Sequence, residues 1–214
     1  MSGCVGLKGI ERGENGKFSY AYYVPKLKVN TPASPKPLFI ILHPANSSGD
    51  EYVEKWAPML SEFGNVFAPT ASSDAPYGSP EFEEKFLEEL RNFESKFPTD
   101  ERRIILIGES NGAIYGYRFL AAHPGLLEAA VFISGALEEK VLAEIGGKSA
   151  EIKTRILIVH GTEDPSFSFE RAEETGAKLK KLGLNVEFKA MNGMRHGADP
   201  FCEDEVLNWI KKQI

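Results

Sequence analysis

Residues 104–120 read IILIGESNGAIYGYRFL and contain three patterns in succession. The apolar run Ile104–Ile107 is typical of a buried strand, and the residues from Ala113 onward are typical of a helix. Between them, residues 108–112 form a G-x-S-x-G sequence. This motif requires a strand, a tight turn and a helix, which together expose the serine as a nucleophile. We therefore expect Ser110 at the end of a strand and at a helix N-terminus, where negative charge is stabilised; the alternative is a glycine-rich turn with a capping serine.

The patterns on either side of this segment predict the sheet to which it belongs. Short, mostly continuous apolar runs are typical of strands covered on both faces. They occur at Leu38–Leu42, Val66–Ala68, Ala130–Ile133, Ile156–Val159 and Val186–Phe188. Helical patterns lie between them in residues 52–60, 82–97, 137–145, 172–182 and 206–210. Strands that alternate with helices predict a mostly parallel central sheet flanked by helices.

The N-terminal region predicts antiparallel strands at one edge of that sheet. Phe18–Val24 is rich in aromatic residues, and Asn15-Gly16 ahead of it is a hairpin signal. We expect Cys4–Ile10 to be the partner strand. Asn30–Pro37 contains three prolines and is short enough to be a loop rather than a domain boundary.

Length and composition predict one domain, residues 1–214, and exclude several functions. Of the 214 residues, 42% are hydrophobic and 26% are charged, and the net charge is −6. An acidic chain without a block of lysine and arginine is a poor candidate for binding nucleic acid. No apolar segment approaches the roughly 18 to 20 residues of a membrane span. The N-terminus does not have the pattern of a secretory signal, so we expect a cytoplasmic protein.

Metal and nucleotide sites are not indicated by the sequence. Cys4 and Cys202 form neither a disulfide framework nor a zinc pattern. Gly146–Ser149 looks like the end of a phosphate loop, but Leu142 occupies the first glycine position and no strand precedes it. We therefore expect no metal and no cofactor.

A serine hydroxyl needs a base to remove its proton, and the chain offers four histidines. His43 and His160 end predicted strands, and His123 precedes a Pro-Gly that stops a helix. His196 lies in the loop between the last predicted strand and the last helix, at the edge of the sheet where Ser110 is expected. We therefore predict that His196 is the base.

The base needs an acid that orients it and stabilises its cation. Asp164 and Glu163 are both candidates, because both lie just past the strand Ile156–Val159. With either, the order along the chain is serine, acid, histidine, which is the order of the α/β-hydrolase triad. All these candidates follow successive parallel strands, and ligands bind at that edge of open α/β sheets.

The chemistry also needs backbone donors for a developing oxyanion. One candidate is the N–H of Asn111, the residue after the nucleophile. The second is expected in the loop His43–Gly49, after the first parallel strand. Pro44 has no N–H, which leaves Ala45 as the best candidate and Asn46 as the alternative.

Together these segments resemble the α/β-hydrolase superfamily. Within it, the chain looks most like small serine carboxylesterases of the phospholipase/carboxylesterase and feruloyl-esterase-like groups. The resemblance covers most of the chain from about residue 20 onward, and the matching segments are Tyr23–Pro25, Leu38–Gly49, Gly108–Gly112, His160–Pro165 and Gly193–Gly197. It implies an α/β-hydrolase fold, and it favours Asp164 as the acid and Ala45 as the second oxyanion donor. This chain has His43-Pro44 where the family usually has His-Gly.

In such enzymes a lid is inserted after the strand that corresponds to Ala130–Ile133. Here only residues 134–154 separate that strand from the next one, so we expect no large cap. Four residues of nearby loops are candidates for substrate binding: Asp74, Tyr77, Phe167 and Met194.

The sequence thus predicts a serine hydrolase of small-molecule carboxylic esters or thioesters, with Ser110, Asp164 and His196 as its catalytic residues. The alternative is a catalytically silent hydrolase fold that acts as a ligand receptor or a partner-binding module, since a fold does not guarantee its chemistry.

Overall fold

A computed structural model describes residues 9–26 and 34–214 of the chain. The strands are β1 (Ile10–Asn15), β2 (Phe18–Tyr23), β3 (Lys36–Leu42), β4 (Asn65–Thr70), β5 (Thr99–Glu109), β6 (Ala129–Ile133), β7 (Arg155–Gly161) and β8 (Asn185–Met191). The helices are α1 (Gly49–Leu60), α2 (Pro80–Lys96), α3 (Asn111–Ala122), α4 (Glu139–Gly147), α5 (Phe169–Lys181) and α6 (Pro200–Ile210).

The strands form a single sheet in the order β1-β2-β4-β3-β5-β6-β7-β8. Strands β3 to β8 pair in parallel, while β1 and β2 pair antiparallel at one edge. The mostly parallel sheet with an antiparallel N-terminal edge is therefore confirmed. All parallel strands end at the same edge, and β5 lies near the middle of the sheet.

The strand that pairs with β2 is Ile10–Asn15 rather than the expected Cys4–Ile10, of which residues 4–8 lie outside the described part. Ile10 pairs with Tyr23 and Asn15 with Phe18 around the turn at Gly16, which has φ 67°. This strand is polar because it is an exposed edge strand, so its composition did not indicate its position.

Two apolar layers cover the two faces of the sheet. Alternate residues of β5 point to opposite faces, as strand geometry requires. Ile104 and Leu106 pack with residues of helices α2 to α5, whereas Ile105 and Ile107 pack with residues of α1 and α6. Burial on both faces explains why the strands read as continuous apolar runs.

The segment between β6 and β7 contains one helix, α4, of nine residues. The expectation of a fold without a large cap is therefore confirmed. Among the described residues, none of the helices has the length and apolar character needed to cross a bilayer.

Candidate active site

Ser110 occupies a sharp turn between β5 and α3. Its backbone has φ 52° and ψ −114°, and its N–H donates to the carbonyl of Ile133 at 2.9 Å. This conformation is costly for any residue with a side chain. The Ser110 side chain makes no capping bond to α3, so the hydroxyl is free for other partners.

The glycines on either side of Ser110 allow two backbones to approach closely. A Cβ on Gly112 would collide with the backbone carbonyls of Leu42 and His43 at the end of β3. A Cβ on Gly108 would lie 2.7 Å from the carbonyl oxygen of Gly112. Glycine is therefore required at both positions for α3 to start directly above the sheet.

The structure brings Ser110, His196 and Asp164 together. His196 is 86 residues from Ser110 and 32 residues from Asp164 along the chain. The Ser110 Oγ lies 2.8 Å from His196 Nε2. On the other side of the ring, Nδ1 lies 2.8 Å from Asp164 Oδ2 and 3.1 Å from Oδ1. A carboxylate accepts only, so Nδ1 carries the proton and Nε2 is free to accept from the serine hydroxyl.

The Asp164 side chain is fully buried, while that of His196 is 28% exposed. Asp164 Oδ1 accepts from the N–H groups of Ser166 at 2.8 Å and Phe167 at 3.0 Å. Burial alone would raise the pKa of this carboxyl, but the hydrogen bonds from Phe167, His196 and Ser166 hold its pKa below the ordinary value. Asp164 therefore stays ionised beside the imidazole, while the neighbouring Glu163 is exposed.

His160 also contacts Asp164, which the sequence analysis did not anticipate. Its ring is fully buried, and Nε2 lies 3.0 Å from the carbonyl of Phe167 and 3.4 Å from Asp164 Oδ2. A histidine four residues before the acid, at the end of the same strand, was the available signal. His160 thus supports the turn that follows β7 and also faces Asp164.

The loop after β3 is held by His43, which is only 2% exposed. His43 Nε2 accepts from the N–H of Ala71 at 2.9 Å, so the proton is on Nδ1, which donates to the Pro44 carbonyl at 2.7 Å. Burial lowers the pKa of His43, consistent with this neutral form. The hydroxyl of Tyr77 donates to the His43 carbonyl at 3.2 Å.

These contacts bear on the orientation of Ala45. The Pro44 carbonyl and the Ala45 N–H belong to one peptide group, in which they point in opposite directions. A ring that holds the Pro44 oxygen therefore also fixes the direction of the Ala45 N–H. Asn111 is the first residue of α3, where backbone N–H groups have no acceptor within the helix.

The four candidates for substrate binding have different surroundings. The Phe167 ring lies 5.5 Å from that of His196. Tyr77 stacks on Tyr115 at 4.9 Å, in addition to its bond to His43. Asp74 lies 3.6 Å from Lys17 of the β1–β2 turn, and Met194 is 5% exposed within the core, which leaves little of its surface for a substrate.

The sheet order, the turn at Ser110 and the loops that carry the acid and the histidine define an α/β-hydrolase. Residues 81–214 match the family described as Phospholipase/Carboxylesterase, and the chain belongs to this family.

Curated relatives are similar to parts of this chain, and a solved structure is similar to its fold. The chain is 38% identical over 65 residues to Acyl-protein thioesterase 1 of Gibberella zeae, a match that covers 30% of this chain and 28% of the relative. It is 26% identical over 145 residues to Carboxylesterase SOBER1 of Arabidopsis thaliana, covering 64% and 63%. Both matches span less than two thirds of the relatives' lengths. The structure of S-formylglutathione hydrolase (FrmB) from Staphylococcus aureus superposes with a TM-score of 0.77 at 15% identity, covering 98% and 99% of the two chains. This structural likeness shows the fold.

Proposed function

We propose that this chain is a serine hydrolase that cleaves carboxylic esters, thioesters included, through an acyl-enzyme on Ser110. The observation that carries the proposal is the unbroken line of hydrogen bonds from Asp164 through His196 to Ser110. An acid, a base and a nucleophile linked in this way are the parts that activate a serine hydroxyl.

In the first half of the reaction, His196 Nε2 takes the hydroxyl proton while Ser110 Oγ attacks the acyl carbon. Asp164 holds the ring in the required tautomer and stabilises the imidazolium that forms. The tetrahedral intermediate then collapses, and the bond to the leaving alcohol or thiol breaks as His196 returns the proton to it. The acyl group remains on Ser110.

In the second half, water replaces the alcohol. His196 accepts a proton from the water, whose oxygen attacks the acyl carbon, and the proton then passes to Ser110 Oγ as the acid product leaves. The reaction thus needs no cofactor, and the catalyst returns to its starting state.

The backbone N–H groups of Asn111 and Ala45 are the proposed oxyanion donors. The first is free of any partner within the helix, and the second is oriented by the contact between His43 and Pro44. Each such donor contributes on the order of 10²–10³ in kcat in enzymes of this type.

The alternative of a catalytically silent receptor is not favoured. A receptor requires no activated nucleophile, whereas here the strained backbone of Ser110 holds its hydroxyl beside His196 at a cost to the folded state. With only α4 between β6 and β7, the site is open at the sheet edge, which suits small or extended acyl substrates.

The test combines hydrolysis of 4-nitrophenyl acetate with labelling by a fluorophosphonate probe. We expect the wild type to turn over the ester and to take up one probe per chain. Ser110→Ala should abolish both signals, whereas Ser95→Ala, at an exposed serine of α2, should retain both. Full activity in Ser110→Ala would refute the proposed mechanism, and a single burst without turnover would favour the silent fold.

A further inference from the structure

A buried ion pair lies directly behind the nucleophile. Glu109 immediately precedes Ser110, and its side chain points to the face of the sheet covered by α1 and α6, like those of Ile105 and Ile107. Only 9% of the Glu109 side chain is exposed. A carboxylate in such a layer is strongly unfavourable unless it is paired and hydrogen-bonded.

The partner of Glu109 is Lys55 of α1. The Lys55 Nζ lies 3.3 Å from Glu109 Oε2 and 3.1 Å from Glu203 of α6. It also lies 5.3 Å from the centre of the Tyr52 ring, where a cation is stabilised by the face of the aromatic system. The lysine is three-quarters buried, so water screens the pair only in part.

The same two side chains hold the backbone of the loop that carries His196. Glu109 Oε1 accepts from the N–H of Ala198 at 3.2 Å, and Lys55 Nζ donates to the carbonyl of Ala198 at 3.4 Å. The N–H and the carbonyl of Ala198, two residues after His196, are therefore both bound to this ion pair.

The preceding residue, Gly197, is held in a similar way by Ser134. The Ser134 Oγ accepts from the Gly197 N–H at 3.2 Å and donates to its carbonyl at 3.4 Å. Gly197 has φ 100°, and a Cβ there would lie 3.0 Å from Glu109 Oε1. The glycine thus brings the loop close enough to bond with the carboxylate.

We infer that Glu109 and Lys55 are positioning residues for His196, an inference that rests on the proposed function. The pair ties the loop of the base to the residue adjacent to the nucleophile. Because Glu109 and Ser110 are consecutive, the loop that carries the His196 imidazole is bound to the same stretch of backbone that carries the Ser110 hydroxyl. A displacement of about 1 Å between such groups can cost on the order of 10² in rate.

Three variants test this inference. Lys55→Met removes the cation and its bond to Ala198 but leaves the buried carboxylate unpaired. Lys55→Met combined with Glu109→Gln removes both charges, so the chain can fold even where the single variant does not. The matched control is Glu203→Gln, which changes the other partner of the same lysine and leaves both bonds to Ala198 in place.

Two measurements are made on each variant. Steady-state hydrolysis of 4-nitrophenyl acetate should show kcat lowered about tenfold or more in Lys55→Met, with KM within about twofold, because the base is displaced while the binding surface is unchanged. The double variant should lie between Lys55→Met and wild type. Amide hydrogen exchange should become faster in residues 192–199 of both variants, and Glu203→Gln should match wild type in both measurements.

The inference is overturned if both Lys55 variants unfold at lower temperature but keep wild-type kcat and wild-type exchange in residues 192–199. It is also overturned if Glu203→Gln lowers kcat as much as Lys55→Met does. If the wild type neither hydrolyses esters nor binds the fluorophosphonate, the proposed function fails, and the exchange data alone decide whether the pair holds the loop.

Discussion

The backbone conformation of Ser110 destabilises the fold but exposes the hydroxyl that the proposed chemistry needs. Two substitutions separate the effect of the strain from that of the hydroxyl. The Ser110 φ of 52° and ψ of −114° cost a residue with a Cβ about 1–3 kcal/mol. Ser110→Ala removes the hydroxyl and keeps this strain. Ser110→Gly removes the hydroxyl and also relieves the strain, since glycine adopts such angles readily.

The difference in free energy of unfolding between Ser110→Ala and Ser110→Gly can be estimated from the backbone alone. Both lose the hydrogen bond to His196, so that loss cancels in the comparison. Glycine costs about 0.5–1 kcal/mol in additional chain entropy, against the strain of about 1–3 kcal/mol that it relieves. We expect Ser110→Gly to be the more stable variant by about 1 kcal/mol, which is about 2–4 °C in Tm for a chain of this size.

The assay is thermal and denaturant unfolding of both variants, with a control at an ordinary helical residue. Ala143 is an exposed residue of α4, and Ala143→Gly should destabilise the wild type by about 1 kcal/mol. The same chemical change, alanine to glycine, is thus expected to have opposite signs at positions 143 and 110.

The result that would refute this reasoning is a Ser110→Gly variant less stable than Ser110→Ala by about the amount lost in Ala143→Gly. Strain at the turn would then be absent. The backbone conformation would no longer be evidence that stability is given up at this position to expose a nucleophile.

Further predictions concern His43 and Asp164 at the site and Cys202 in the core. His43→Leu should lower kcat in ester hydrolysis by about 10²-fold, because the proposed oxyanion donor, the Ala45 N–H, is then no longer oriented. His43→Asn, whose amide can still donate to the Pro44 carbonyl, should lose less. Denaturant unfolding across a pH series should show stability that falls below about pH 6.5, because burial lowers the pKa of both His43 and His123 and the unfolded chain binds these protons first. The His43→Asn variant should lose the part of this slope that His43 contributes. The lowered pKa of Asp164 adds a second loss as pH falls below about 3.8, which Asp164→Asn should remove. Burial raises the pKa of Cys202 to about 12, so mass spectrometry should find this thiol unmodified by iodoacetamide at neutral pH until the chain unfolds.

The parallel strands and the three proposed catalytic residues could be predicted because their signals are local. Strands β3 to β8 are buried on both faces and therefore read as apolar runs. Ser110 lies in a five-residue motif, and the acid and base each follow a strand, in loops that parallel topology brings to one edge. Strand β1 could not be predicted in this way, because an exposed edge strand has no apolar pattern.

The contacts between distant side chains could not be predicted from the sequence. Lys55 and Ala198 are 143 residues apart, and neither belongs to a motif. Asp74 lies 3.6 Å from Lys17, 57 residues earlier, and neither segment carries a signal for the other. Such contacts follow from packing, which local patterns do not encode.

The path of the loop that carries His196, between β8 and α6, shows why these distant contacts are needed. The loop starts at β8, at the outer edge of the sheet, and must bring an imidazole to β5. Three strand spacings of about 4.8 Å separate the two strands, about 14 Å in all. The loop contacts the end of each strand in turn. Met194 packs on the backbone of Gly161 in β7, Gly197 is hydrogen-bonded to Ser134 after β6, and Ala198 is hydrogen-bonded to Glu109 of β5.

The loop begins with a turn over β7, in which the N–H of Met194 donates to the carbonyl of Met191 at 3.2 Å. A Cβ on Gly161 would collide with the carbonyl of Met194, so the loop crosses β7 in direct contact with its backbone. Beyond the turn, residues 194–199 contain no helix or strand, so their own local structure does not place them. The position of these residues must come from the strand ends beneath them, and the ion pair of Glu109 and Lys55 is the contact at β5, the strand that leads to Ser110.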